Sequence, residues 1–302
     1  MNILLFAGQG SQYAGMGKDI YEADSDLHSI FDTASDVLGY NLEEVCFSES
    51  FEDLSKTFYS QPAIMAVSLL CFKAALKKGL KYEAVAGHSL GEYAAMVASD
   101  MLSLEDGFRV IKARAEAFGK VAASTDGSMA AILKLAPEQV EQICASVDGY
   151  VVPVNYNSPA QTVIAGESSA VAQACEKSKE MKARVMPLNT ESAFHSEIMK
   201  PASIEFYDKI KDITFKKPSV KFFSNLIGDE LCDFSDMPSM LARHIISPVR
   251  FTDELVAIHT QGFDRYIELG PGKTLTGLVK KTLTDITAYN IDGMQSLQDA
   301  EF

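Results

Sequence analysis

Residues 84–96, Ala84-Val85-Ala86-Gly87-His88-Ser89-Leu90-Gly91-Glu92-Tyr93-Ala94-Ala95-Met96, decide the fold. The run begins as a buried strand, about 83–86, and ends as a helix over 90–98. Between them stands Gly-x-Ser-x-Gly, with Ser89 at its centre. A reversal this tight strains the central residue, and side chains two before and two after it would collide, so both are glycine. The hydroxyl of Ser89 is then presented at the carboxyl end of a sheet, where open α/β sheets bind ligands. The Leu90 amide opens the helix and is free to donate to an oxyanion. A glycine-rich turn with a capping serine would be spelled the same way. The strand before and the helix after favour a nucleophile that carries an acyl group.

Outward from this elbow the chain alternates strands and helices. On the N-terminal side are a strand at 2–6, running into Gly8-Gln9-Gly10-Ser11-Gln12, and helices at 27–39 and 61–78. Ser103 with Asp106 three residues later starts a helix that reaches about Lys120. The rhythm changes at the small, polar stretch 122–127. Strand 129–135, helix 137–147, strand 151–156, strand 161–165, helix 168–181 and strand 183–188 then follow in β-α-β-β-α-β order. This pattern predicts a small ferredoxin-like domain, roughly 127–190, inserted into a larger α/β unit. Beyond it come helix 197–211, strand 219–224, helices 236–246 and 251–261, strand 264–268, helix 274–283 and strand 286–291. Alternation of this kind implies a mostly parallel sheet covered on both faces.

Composition sets limits. Of 302 residues, 47% are apolar and 23% charged, and the net charge is −14. Such an acidic chain is a poor partner for nucleic acid or an anionic membrane. The five cysteines, Cys46, Cys71, Cys144, Cys175 and Cys232, include no Cys-x-x-Cys pair. Reduced thiols without a disulfide framework or zinc site are therefore expected. No stretch is read as reaching a membrane span, and residues 1–6 lack the basic start and length of a signal peptide, so a cytoplasmic location is expected. Two ligand motifs fail. Gly270-Pro271-Gly272-Lys273-Thr274 ends like a P-loop but has Ile267 where the first glycine belongs. Gly8-Gln9-Gly10 opens a dinucleotide fingerprint that Tyr13 breaks. No bound cofactor and no metal are expected.

A serine nucleophile needs a base. Among five histidines, His28 and His259 sit in polar helical stretches and read as surface residues. His88 adjoins the nucleophile but should point away from it. His195 and His244 remain. His195 is favoured, because it lies where the chain leaves the small domain and re-enters the large one.

Along nearly its whole length the sequence resembles the malonyl-CoA:acyl-carrier-protein transacylases of fatty-acid and polyketide synthesis. The landmarks occur in family order: Phe6-Ala7-Gly8-Gln9-Gly10-Ser11-Gln12, Ser60-Gln61-Pro62-Ala63, Gly87-His88-Ser89-Leu90-Gly91-Glu92, Arg114, Asn155-Tyr156-Asn157-Ser158-Pro159, Phe194-His195-Ser196, Ser247-Pro248-Val249-Arg250-Phe251 and Glu268-Leu269-Gly270-Pro271-Gly272. The resemblance implies an α/β-hydrolase-like catalytic domain over 1–126 and 191–302, with the ferredoxin-like domain at 127–190 between. It implies that Ser89 attacks the thioester, that His195 is its base, and that the amides of Gln9 and Leu90 form the oxyanion hole. The backbone carbonyl at His244, where glutamine is common, would orient His195 in place of an acidic third member. Arg114 would grip the free carboxylate of malonyl. From the residues alone an arginine at the edge of the stripe Leu104, Phe108, Ile111, Ala115, Phe118 could equally reach for water. Phe194 and Leu90 resemble the malonyl-using branch. Gln61, Asn157 and Gln161 match positions lining the family's site, although ordinary turn or core hydrogen bonds would suit Gln61 and Asn157 too.

These resemblances imply malonyl-CoA as substrate, an acyl carrier protein bearing phosphopantetheine as partner, and a monomer. Carrier proteins of this kind are acidic, so Lys182, Arg184 and Lys200 near the domain junction are candidate docking residues. Two rivals share the elbow: an editing thioester hydrolase, and a non-catalytic carrier-binding module. Fatty-acid and polyketide service are not distinguished at this level.

Overall fold

The computed structural model describes all 302 residues. In chain order its first half contains β1 (Asn2–Phe6), α1 (Lys18–Ala23), α2 (His28–Leu38), α3 (Leu42–Phe47), α4 (Thr57–Lys77), β2 (Ala84–Gly87), α5 (Gly91–Ala98), α6 (Leu104–Ala122), β3 (Gly127–Leu133), α7 (Pro137–Ala145) and β4 (Val151–Ser158). The second half contains β5 (Gln161–Glu167), α8 (Ser168–Glu180), β6 (Arg184–Pro187), α9 (Lys200–Ile210), β7 (Lys221–Ser224), β8 (Asp229–Glu230), α10 (Met237–Ile245), α11 (Phe251–Thr260), β9 (Arg265–Leu269), α12 (Thr274–Thr282), β10 (Thr287–Ile291) and α13 (Met294–Asp299).

Ten strands form two sheets. The larger has the order β10-β9-β1-β2-β7-β8, parallel throughout except for the short β8. Side-chain alternation along its strands feeds two cores. Leu4, Phe6, Val85, Phe222 and Ile267 point into the main core. Ile3, Leu5, Ala84, Ala86 and Phe223 point into a second core against α11 and α12. A sheet buried on both faces is what the short apolar runs at 2–6 and 84–86 require.

The smaller sheet has the order β4-β5-β3-β6 and is antiparallel throughout. Its outer face, with Ala130, Ile132 and Ile164, packs on α7 and α8. Its inner face, with Met129, Ala131, Val163 and Ala165, joins the main core of the larger unit. The second sheet is thereby laid over the carboxyl ends of the first, which creates a cleft above Ser89.

Several elements depart from the sequence reading. Helix α4 starts at Thr57, four residues before the expected 61, with Pro62 inside it. Proline removes the donor to the Phe58 carbonyl, and the Tyr40 hydroxyl supplies one at 3.4 Å. The helix also corrects the expectation that no segment reaches a membrane span. Its 21 residues are long and apolar enough by composition, but 83% of its most apolar window is buried inside the protein. Three six-residue helices, α1, α3 and α13, and the two-residue β8 were not foreseen. They are too short to carry a periodic signal. His28 is no free surface residue: its ring stacks on Tyr21 with centroids 3.9 Å apart and bonds the Tyr21 carbonyl at 3.0 Å.

Candidate active site

The elbow is built by close approach. A Cβ on Gly91 would strike the Phe6 carbonyl oxygen of β1, and one on Gly87 would strike the backbone of α5. Ser89 itself holds φ at 53°, a region that non-glycine residues rarely occupy. Gly8 lets a second loop reach the elbow, since a Cβ there would lie 2.7 Å from the His88 carbonyl oxygen. That contact brings Gln9 beside the nucleophile. Neither the Gln9 amide nor the Leu90 amide has an acceptor within the protein. Two free N–H groups flanking a nucleophile can receive a developing oxyanion.

Ser89 Oγ lies 2.7 Å from His195 Nε2. On the far side of the ring, His195 Nδ1 faces two backbone carbonyls, His244 at 3.0 Å and Ser247 at 3.2 Å. Two acceptors there require the proton on Nδ1, which leaves Nε2 with a lone pair aimed at the serine hydroxyl. The His195 ring is held well below the ordinary imidazole range, first by burial and then by the positive potential of His244 and Arg114. A neutral imidazole in this tautomer is a competent general base.

Arg114 comes from α6 and is only 2% exposed, so it does not extend to water. Its guanidinium lies 4.2 Å above the Phe118 ring and 5.5 Å from Tyr93. Nη2 donates to Ser89 Oγ at 3.1 Å, and Nε has no partner. No carboxylate of the protein forms an ion pair with it. A buried cation without a counter-ion, touching a nucleophile, is arranged for an anion that arrives from outside.

The cleft has a volume of about 550 Å³, and its wall includes Gln9, His88, Ser89, Arg114, Asn157, Gln161, Phe194 and His195. Asn157 Oδ1 accepts from His88 Nε2 at 2.7 Å, and Phe194 packs on Phe118 with centroids 4.9 Å apart. Gln61 is placed differently from the expectation. It is fully buried behind the wall, and its Nε2 donates to Gln9 Oε1 at 3.2 Å. It steadies the Gln9 side chain and does not border the cleft. Lys182, Arg184 and Lys200 are all exposed. Arg184 alternates with Met186 and Leu188, which line the cleft, so it shares their face of β6.

Sequence reasoning missed Asn225, Glu92 and Glu254. Asn225 Oδ1 accepts from the Ser89 amide at 2.6 Å, and its own amide donates to Glu92 Oε1 at 2.5 Å. The available signals were positional. Glu92 is a charge inside the apolar run of α5, and Glu254 falls on the buried face of Phe251, Leu255 and Ile258. Asn225 directly follows β7 at the carboxyl edge of the sheet.

An oriented serine–histidine pair beside free amides defines a class of acyl-transferring enzymes, and the comparisons agree. The acyl transferase domain family matches residues 3–300. A malonyl CoA-acyl carrier protein transacylase of Bacillus subtilis (strain 168) is 37% identical over 281 residues, covering 92% of this chain and 89% of that protein. The crystal structure of such a transacylase from Clostridium perfringens superposes with a TM-score of 0.94 at 35% identity, covering 98% of this chain and 95% of the other. A malonyl-transacylase solved in complex with its type II PKS acyl-carrier protein gives a TM-score of 0.94 at 34% identity, with 98% and 97% coverage. The chain belongs to this acyl transferase family and, within it, to the malonyl CoA-acyl carrier protein transacylases.

Proposed function

We propose that the chain transfers a malonyl group from malonyl-CoA to the phosphopantetheine thiol of an acyl carrier protein through a malonyl-Ser89 ester. The observation that carries this reading is Arg114, buried, without a counter-ion, and 3.1 Å from the nucleophilic oxygen. The malonyl carboxylate sits one methylene from the carbonyl that Ser89 attacks, so an arginine at that distance can hold it. Nε and Nη2 form the planar fork that binds a carboxylate bidentately.

The steps balance without a resident metal or cofactor. His195 Nε2 takes the proton from Ser89 Oγ as the oxygen adds to the thioester carbonyl. The amides of Gln9 and Leu90 receive the oxyanion. Collapse breaks the carbon–sulfur bond, and the CoA sulfur leaves with the proton from His195. The phosphopantetheine thiol then gives its proton to His195 and attacks the ester, and the Ser89 oxygen leaves with the proton returned from His195. Ser89 and His195 are thus the catalytic residues, with Gln9 and Leu90 as oxyanion donors and the His244 carbonyl orienting the base. Arg114, Phe194, Asn157 and Gln161 border the substrate, and Gln61 supports Gln9.

We further read residues 1–126 and 191–302 as an α/β-hydrolase-like domain and 127–190 as a ferredoxin-like one. The first rests on the parallel order with the nucleophile at a strand end, the second on β-α-β-β-α-β with strand order β4-β5-β3-β6. The enzyme is proposed to work as a monomer in the cytoplasm. A named relative bound to a type II PKS acyl-carrier protein supports an acyl carrier protein as the partner. Lys182, Arg184 and Lys200 are proposed to form its docking rim. The test is intact-protein mass spectrometry with malonyl-, methylmalonyl- and acetyl-CoA. A malonyl adduct on the wild type and none on Ser89→Ala is expected. Absence of the adduct on the wild type overturns the reading, and acyl-CoA hydrolysis without carrier protein would favour an editing hydrolase.

A further inference from the structure

Beneath the nucleophile lies a set of buried polar side chains that the acyl-transfer steps do not use. Glu92, Asn225, His244 and Glu254 are each no more than 1% exposed. Neither carboxylate pairs with a lysine or arginine. Hydrogen bonds and one ion-pair contact link them in a continuous path. Asn225 Oδ1 accepts from the Ser89 amide at 2.6 Å, and Asn225 Nδ2 donates to the Gly87 carbonyl at 2.7 Å and to Glu254 Oε2 at 2.5 Å. The Asn225 amide donates to Glu92 Oε1 at 2.5 Å. Glu92 Oε2 makes no hydrogen bond and stands in ion-pair contact with His244 Nδ1 at 3.3 Å. The His244 carbonyl then accepts from His195 Nδ1 at 3.0 Å.

The path starts on the backbone of the nucleophile and ends on the ring of its base. Both ends hold positive φ, 53° at Ser89 and 61° at His195. Residues with side chains keep that conformation only where their surroundings over-determine it. Burial, and then the charge of Glu92, pushes Glu254 well above the usual carboxylic range. Glu92 Oε1 faces the Asn225 backbone amide and Oε2 faces His244.

We infer that the His244 side chain is a positioning residue: its Nδ1–H holds Glu92, and Glu92 with Asn225 holds the Ser89 elbow, so that one strut sets nucleophile and base together. The side chain touches no reacting atom. The backbone carbonyl at residue 244 orients His195 whatever the side chain is, but only the side chain stands against the inner oxygen of Glu92, which has no hydrogen-bond partner. Taking that polar contact away from a buried carboxylate oxygen would draw in water or shift α5, and with it the elbow.

Two substitutions separate this role from packing. His244→Gln keeps a side-chain N–H donor. His244→Leu keeps the bulk and the backbone carbonyl but has no donor. Malonylation of Ser89 by malonyl-CoA is expected within about threefold of wild type in His244→Gln. In His244→Leu it is expected to be about 10–100-fold slower in kcat with KM within about threefold, the scale of a small misplacement at a reacting centre. In a Glu92→Gln background the gap between the two should shrink, as coupling through Glu92 demands. Equal rates for glutamine and leucine overturn the inference. Should His244→Leu fail to fold, ¹⁵N NMR of the wild-type histidines decides: the strut requires a proton on His244 Nδ1, and a bare Nδ1 overturns it. The kinetic arm rests on the malonyl-transfer reading. A wild type that takes up no malonyl breaks that reading, and the NMR arm still tests the strut.

Discussion

The floor and the roof of the cleft are built on opposite plans. The floor belongs to the parallel sheet, where Ser89, His195 and Arg114 are held by buried donors and acceptors at 2.6–3.1 Å. The roof belongs to the antiparallel sheet, whose side chains over the cleft include Met129, Ala131, Val163, Met186 and Leu188. Its edge strand β6 has only four residues and is largely exposed, with Met186 41% open to solvent. Directional bonds fix the atoms that react. Apolar and thioether contacts adapt in shape, which suits a cover that must admit a donor, exclude water and then admit a second partner. The difference implies that changes in the floor act on chemistry, while changes in the roof act on who delivers and who receives.

The largest effects should come from the floor. Ser89→Ala and His195→Ala should each lower transfer by at least about 10⁴-fold, the scale for removing one member of a nucleophile–base unit. Stopped-flow or discontinuous assays of malonyl transfer read this, with the double variant little worse than either single one. Residual activity near wild type in Ser89→Ala would move the nucleophile elsewhere. Arg114→Ala should come next. Losing the only cation for the malonyl carboxylate should cut kcat/KM for malonyl-CoA by about 10²–10³-fold and leave little preference over acetyl-CoA, since discrimination built on a buried polar contact collapses when that contact is removed. A variant that still prefers malonyl would reassign carboxylate recognition to the roof.

The pH profile sharpens the same contrast. Only neutral His195 can accept the serine proton. Its pKa is depressed well below 6.5, so kcat/KM for malonyl-CoA should stay level through neutral pH and fall only as pH drops through that depressed value. Arg114 is one cause of the depression, though a smaller one than burial. The acid limb in Arg114→Ala should therefore move upward and still lie below the usual imidazole range. A wild-type limb at or above 6.5 would contradict the dry, positively charged floor.

What the sequence disclosed follows the same division. The elbow was readable because a strand, two obligatory glycines and a helix occur within a dozen residues, and local sterics leave few alternatives. The order of strands and helices along the chain followed from alternating apolar runs of the right lengths. The buried network under Ser89 was not readable, because Glu92, Asn225, His244 and Glu254 are spread over more than 160 positions and only the fold brings them together. Gln61 was misplaced for a related reason. A polar residue before Pro62 can face a cleft or support a neighbour, and choosing between them needs the position of Gln9. The short helices α1, α3 and α13 depend on packing that no local pattern records.

The smallest effect tests the roof itself. Lys182 and Arg184 lie beside and on β6, and Lys200 opens α9 just after the segment that carries His195. All three are exposed on a chain of net charge −14, so they are local exceptions to its overall potential. Arg184 also shares its strand face with Met186 and Leu188, which places it at the lip over which a phosphopantetheine arm would enter. If an acidic carrier protein docks there, reversing all three charges to glutamate should raise KM for the carrier about 3–30-fold at low salt, with the gap narrowing as salt rises. Formation of malonyl-Ser89 from malonyl-CoA, which does not involve the carrier, should remain unchanged. An unchanged KM would remove these residues from docking. A slower first half-reaction would show instead that they serve CoA, and the roof would then handle donor and acceptor through one shared surface.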